Sequence, residues 1–200
     1  MALTRCDEAM GGHALYRRVL GDGLDRIPEP VRRFHNSAAD RVFRGRVRVH
    51  RGMNPLARWL AHAFGFPQAG PDQPMELRIR CVDGQEIWQR RIGDRRFATQ
   101  QRAGQDGMLI ESFGPLTVYM RLPLEGSGLK FQVDRLTMFG LTLPAVLTPR
   151  VQSRESVGQG RLVIDVDIVA PYLGRIIHYR GWLEPADAGH TGHTVAGRRK

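Results

Sequence analysis

From Arg41 onward the chain runs in short stretches of alternating apolar and polar residues. Turn-forming clusters separate them at Asp83-Gly84, Gly93-Asp94, 104–107, Gly114-Pro115, 126–128, 158–160 and 170–174. In Arg41–His50 (RVFRGRVRVH), Phe43, Gly45, Val47 and Val49 fall on one face and Arg44, Arg46, Arg48 and His50 on the other, the period of two of a half-buried strand. Asp83-Gly84 is a two-residue hairpin turn, because both central positions of that turn take positive φ. The same rhythm predicts strands over Met75–Val82, Glu86–Ile92, Arg96–Arg102, Met108–Phe113, Leu116–Leu122, Leu129–Phe139, Arg150–Val157, Arg161–Ile168 and Arg175–Leu183. The expected fold is mainly β: an antiparallel meander of about 8–10 strands, curled into a barrel or half-barrel. Alternation leaves closure open, since it carries no information on shear.

Helical periodicity is confined to the first third of the chain. Two short helices are predicted, over His13–Leu20 and from Pro28 through Phe34. A longer one spans Asn54–Phe66, with Asn54 as N-cap and Pro55 in the first turn. Its apolar stripe reads Leu56, Trp59, Leu60, Ala63 and Phe64, suited to capping one mouth or face of the sheet. Gln68–Pro74 reads as a linker, and the proline-interrupted run Leu141–Pro149 as a flap or a sheet-edge crossing. Residues 1–12 and 185–200 have the composition of disordered termini, leaving 13–184 as a single domain.

Composition alters this picture little. Apolar residues make up 42% and charged residues 25% of the 200 residues, ordinary for a soluble globular protein. No apolar run suits a signal peptide or a transmembrane segment, so the expected compartment is cytoplasmic. Cys6 and Cys81 lack metal-ligand spacing and read as reduced thiols. No metal or cofactor is expected. The formal charge is +10, and of thirty basic residues all but Lys130 and Lys200 are arginines. They are spread through most strands without aromatic stacking platforms, which argues against nucleic acid as a partner. If their strands are neighbours, Arg44, Arg46 and Arg48 join Arg78 and Arg80 in a patch suited to an anionic headgroup, a nucleotide or an acidic protein. The plainer reading is a solvated outer surface.

Motifs with defined chemistry are absent: no GxGxxG, Walker loop, GxSxG or HExxH occurs. A regular final hairpin would set Asp165 opposite His178, a candidate orienter–base pair or simply a cross-strand polar pair. Glu86, Trp88 and Arg90 share one strand face, either as pocket lining or as an ion pair beside a core tryptophan. Glu111 is a lone acid among Leu109, Ile110 and Phe113, a weak acid/base candidate. Tyr179 lies on the apolar face of the last hairpin with Leu162, Ile164, Val166 and Ile177.

Several segments together resemble a bacterial family, domain of unknown function 4166 (DUF4166). They are Tyr16–His35 (YRRVLGDGLDRIPEPVRRFH), Phe43–Pro67, Ile87–Phe97 (IWQRRIGDRRF), Glu111–Leu122 (ESFGPLTVYMRL), Leu136–Pro149 (LTMFGLTLPAVLTP) and Ile168–Leu183 (IVAPYLGRIIHYRGWL). The resemblance covers about residues 13–184 and implies that Trp88, Arg90, Gly114, Pro144, Gly174, Tyr179 and Gly181 are pattern positions of the fold. It supplies no catalytic residues. Members occur alone or behind a dinucleotide-binding oxidoreductase domain of the saccharopine dehydrogenase-like kind, so a redox role would need a separate protein. The expected function is non-enzymatic binding of a hydrophobic or amphipathic small molecule inside the curl. Trp59, Trp88, Phe131 and Tyr179 would form its walls, with Arg90 and Glu111 as polar anchors. Two alternatives stand beside it. One is an enzyme, or an accessory to a separate NAD(P)-dependent oxidoreductase, using Asp165–His178 or Glu111. The other is a basic module that docks an acidic partner, a membrane surface or RNA through the arginine patch.

Overall fold

A computed structural model describes residues 14–126 and 128–186. Most of the two terminal stretches expected to be disordered, 1–12 and 185–200, lies outside them. The chain opens with α1 (Leu15–Leu20), a 3-10 turn (Gly21–Arg26) and α2 (Glu29–His35). Strand β1 (Arg41–Arg51), helix α3 (Pro55–Ala63) and strands β2 (Gly70–Val82), β3 (Gln85–Ile92) and β4 (Arg95–Ala103) follow. Then come β5 (Leu109–Phe113), β6 (Leu116–Arg121), β7 (Leu124–Glu125), β8 (Gly128–Met138) and β9 (Leu141–Thr142). The last three strands are β10 (Arg150–Gly158), β11 (Arg161–Ala170) and β12 (Gly174–Pro185).

Setting aside the two-residue strands β7 and β9, the ten long strands are the ten that alternation predicts. Each pairs antiparallel with the next, β8 with β10 across the β9 excursion. The last then meets the first: β12 and β1 pair from Phe43↔Pro185 to Arg51↔Ile177. This seam turns the meander into a closed up-and-down barrel with no long edge strand left unpaired. Two glycines lie across it, Gly45 opposite Leu183 and Gly181 opposite Val47. A Cβ on Gly45 would sit 1.8 Å from the Trp182 carbonyl oxygen, and one on Gly181 would sit 1.9 Å from that of Arg46.

Two local expectations change. The stretch 70–74, read as linker, extends β2 despite Pro71 and Pro74. A register shift between Val47 and Val49 relieves the ladder where the prolines withhold donors. Helix α3 is capped as expected, the Asn54 side chain accepting from the Leu56 and Ala57 amides at 2.9 and 3.4 Å. It is rotated, however, and buries Ala57 and Ala61 completely while leaving Trp59 61% exposed. The helix packs on β12 through these two alanines, whose small side chains permit close approach.

The strand directions give the barrel two ends. The lower end is closed by α1 and α2, which bury Leu15, Tyr16, Val31 and Phe34 against β4, β10 and β11. The upper end carries α3, the Gly93-Asp94 and Gly114-Pro115 turns, the run 139–149 and the β11–β12 turn. Inward positions are mostly apolar, and the outward face of β1 and β2 presents the arginines.

Candidate functional site

Ten staves enclose more space than their side chains fill. The lumen holds a cavity of about 240 Å³, somewhat below the roughly 300–1,000 Å³ of drug-sized ligand pockets. That size suits one short chain or ring system and not a two-chain lipid. Trp88, Arg90, Glu111, Phe131 and Tyr179 all line it. Its upper wall is an aromatic cluster of Phe64, Phe66, Phe97 and Phe113, with ring centroids 5.5–6.3 Å apart. Trp59, expected as a wall residue, is not part of the lumen. The inward face of α3 is the Ala57, Leu60, Ala61, Phe64 side, and Trp59 points to solvent.

One polar group is set into this apolar wall. Arg90 on β3 donates to Thr99 Oγ1 at 2.8 Å and, over a longer 3.4 Å, to Glu111 Oε1. Its guanidinium lies 5.0 Å from the Trp88 ring centroid and 5.6 Å from that of Phe97, a cation–π seat that holds the charge where water is scarce. Tyr179 on β12 completes the group. Burial pushes its phenol above the ordinary value; the Arg90 charge opposes this, and Glu111 and Glu155 reinforce it. The Tyr179 hydroxyl makes no hydrogen bond to any described residue, although buried tyrosines ordinarily find a partner.

Beneath this lies a polar floor, of which only Glu86 stands among the candidates read from the sequence, on the strand face it shares with Trp88 and Arg90. Buried His35 sits 2.5 Å, Nε2 to Oε2, from Glu155 on β10, which lies 120 positions further along the chain. Tyr16 stacks on His35 at 3.6 Å between ring centroids and donates to Gln101 Oε1 at 3.0 Å. Glu86 accepts from Trp88 Nε1 at 2.8 Å and from Arg41 Nη2 at 2.7 Å. Glu155 was legible as an inward β10 position, in phase with Val151 and Ser153. Its partner on α2 carries no local signal.

Burial also pushes the Tyr16 phenol well above its ordinary value of 10.0, with Glu155, Glu86 and Glu111 adding to the rise. A phenol raised in the folded state contributes stability that is whole below the unfolded value and is lost as pH climbs above it. Alkaline stability is therefore expected to fall above about pH 10 by roughly 1.4 kcal/mol per pH unit for each of Tyr16 and Tyr179. Urea titrations across that range check this: Tyr16→Phe and Tyr179→Phe each flatten the slope. The limb is clean because only Lys130 and Lys200 are lysines.

Asp165 and His178 do meet, at 2.9 Å, but on the outer face and by a diagonal. A register shift between Ile168 and Val169 sets Asp165 opposite Arg180 and Asp167 opposite His178. Asp165 also lies 3.6 Å from Arg180. The pair faces away from the lumen, and neither residue lines its cavity. The arginine patch likewise faces outward and is largely answered by acids. Glu76 takes Arg44 and Arg78, both at 3.1 Å, Asp72 takes Arg46 at 2.6 Å, and Asp40 lies 4.0 Å from Arg80. Arg48 donates to the Pro71 carbonyl at 3.3 Å.

A closed floor, an upper end roofed in part by a helix and a polar group inside an apolar lumen define a cavity-bearing up-and-down β-barrel. The chain belongs to the DUF4166 family, described as a domain of unknown function, whose profile matches residues 27–183. A search of curated proteins finds no match.

Proposed function

We propose that the protein binds one small hydrophobic or amphipathic molecule inside the barrel. The observation that carries this is the Arg90 guanidinium, seated against Trp88 and Phe97 in the wall of a mostly apolar lumen that Tyr179 also lines. Arg90 has five N–H donors and commits two nitrogens to Thr99 and Glu111, which leaves donors for a guest's oxygen. The ligand class is a short apolar body with a single acceptor, such as a carboxylate or carbonyl. The polarity of the barrel is the reverse of a lipid-spanning one, which is apolar outside and polar within. Among the described residues no helix is long and apolar enough to cross a membrane.

Decanoate and decanol are the probes, read by titration calorimetry. One saturable site is expected. Val166→Trp, which fills the lumen, lowers affinity for both at least tenfold, and Arg90→Met lowers it for decanoate much more than for decanol. Unchanged binding in Val166→Trp overturns the assignment.

A second reading has one observation in its favour: the Glu111 carboxylate faces the lumen, held only by the long bond to Arg90. It would serve as acid or base on the bound molecule, alone or beside a separate NAD(P)-dependent oxidoreductase. In that case a co-purifying guest is converted by the protein, and Glu111→Gln binds it without converting it.

A further inference from the structure

The exposed large apolar side chains are not scattered. Apart from Val82 at the lower end, all those among the described residues sit at the upper end. Met53, Leu56 and Trp59 lie on or beside α3. Phe139 and Leu141, 79% and 75% exposed, flank the β8–β9 turn, with Leu147 in the loop after it. Tyr172, 82% exposed, tips the β11–β12 turn. Phe139 and Tyr172 have φ of 51° and 62°, a left-handed conformation that bulky residues rarely adopt. Glycine or asparagine would fit these turns more easily, yet an aromatic ring is held out into water at both. Such strain is kept where the projected side chain has a use.

The charge at this end differs from that of the arginine patch lower on the wall. Arg58, Arg95, Arg96 and Arg150 have no carboxylate partner among the described residues. Arg51 is held below its ordinary value by burial and by the nearby charges of Arg95 and Arg58, so two of these guanidiniums cluster with a third, that of Arg51. Of the acids here, Asp72 is taken by Arg46 and Asp167 by Arg175, at 2.6 and 2.8 Å, leaving Asp94. A second copy seated on this end would oppose one arginine cluster with another. Separate apolar tips with cations between them match a surface that is apolar beneath and anionic above.

We propose that the upper end of the barrel docks on an anionic lipid bilayer, seating the Trp59, Phe139–Leu141 and Tyr172 tips among the acyl chains and the arginines among the headgroups. Docked in this way, the barrel turns the α3 end of its lumen toward the membrane. The docking stands apart from what the cavity holds.

The test is co-flotation of the full chain with vesicles of phosphatidylcholine and phosphatidylglycerol, against phosphatidylcholine alone. Binding is expected only with the anionic lipid, weakening as salt rises, with a blue shift of Trp59 emission. Phe139→Ser with Leu141→Ser lowers affinity about tenfold or more, and Arg58→Gln with Arg96→Gln lowers it severalfold. Arg44→Gln with Arg46→Gln leaves it unchanged. No flotation, or flotation indifferent to the tip substitutions, overturns the proposal. So does a dimer in sedimentation that the same tip substitutions dissolve, since that would assign this end to a second copy. Val166→Trp and Arg90→Met leave flotation intact, so failure of docking and failure of lumen binding are read separately.

Discussion

Removing either half of the His35–Glu155 pair is expected to destabilise the protein by about 3–5 kcal/mol, because it strands a buried polar partner. His35 has no exposed surface and Glu155 only 5%, so water cannot stand in for the missing group. The 2.5 Å contact joins α2 to β10 at the floor of the barrel, and Tyr16 covers the imidazole from α1. Among the described residues His35 Nδ1 has no hydrogen-bond partner, and Glu155 is the one that bonds to the ring. Glu155→Ala and His35→Ala are each expected to show the full loss in urea unfolding. Replacing both by apolar residues of similar size, His35→Leu with Glu155→Met, recovers most of it. A single-variant loss under about 1 kcal/mol would mean that the floor opens to solvent.

Gly181→Ala is expected to cost about 3 kcal/mol or more, although replacing a glycine inside a strand by alanine ordinarily stabilises by roughly 0.5–1 kcal/mol. The added Cβ meets backbone, the Arg46 carbonyl at 1.9 Å and Val47 Cα at 2.7 Å, and no rotamer change can relieve that. The two strands that close the barrel would have to part. Gly160→Ala is the control, since Gly160 has φ of 72° but open space around it, and its loss stays at the roughly 1–2 kcal/mol of a left-handed φ. Equal losses at the two sites, measured by urea unfolding, would show that the seam yields easily. The same crowding explains why a glycine sits within the alternating run RVFRGRVRVH: Gly45 occupies an inward position where a side chain would strike β12.

Alternation alone specified the ten strands, their order as consecutive neighbours and the inward faces that carry Trp88, Arg90, Glu111, Phe131 and Tyr179. These are local properties, since a strand with one wet face shows its period in its own residues. What lay beyond it depends on distant atoms. Closure required the β1–β12 seam, which accumulates from the twist and shear of every stave. The face that α3 buries holds the small Ala57 and Ala61 and leaves Leu56 and Trp59 exposed, an outcome set by its packing on the barrel and not by which stripe is most apolar. Asp165 and His178 meet on a diagonal and not directly opposite, because the tip pairing of Ala170 with Gly174 and the bulge beside it together move the register of the last hairpin. The arginine patch lost most of its free charge to Glu76 and Asp72, which only strand neighbours could supply. His35 and Glu155 found each other across 120 residues, since a polar group carried into a closed interior must meet its complement there or not be buried at all.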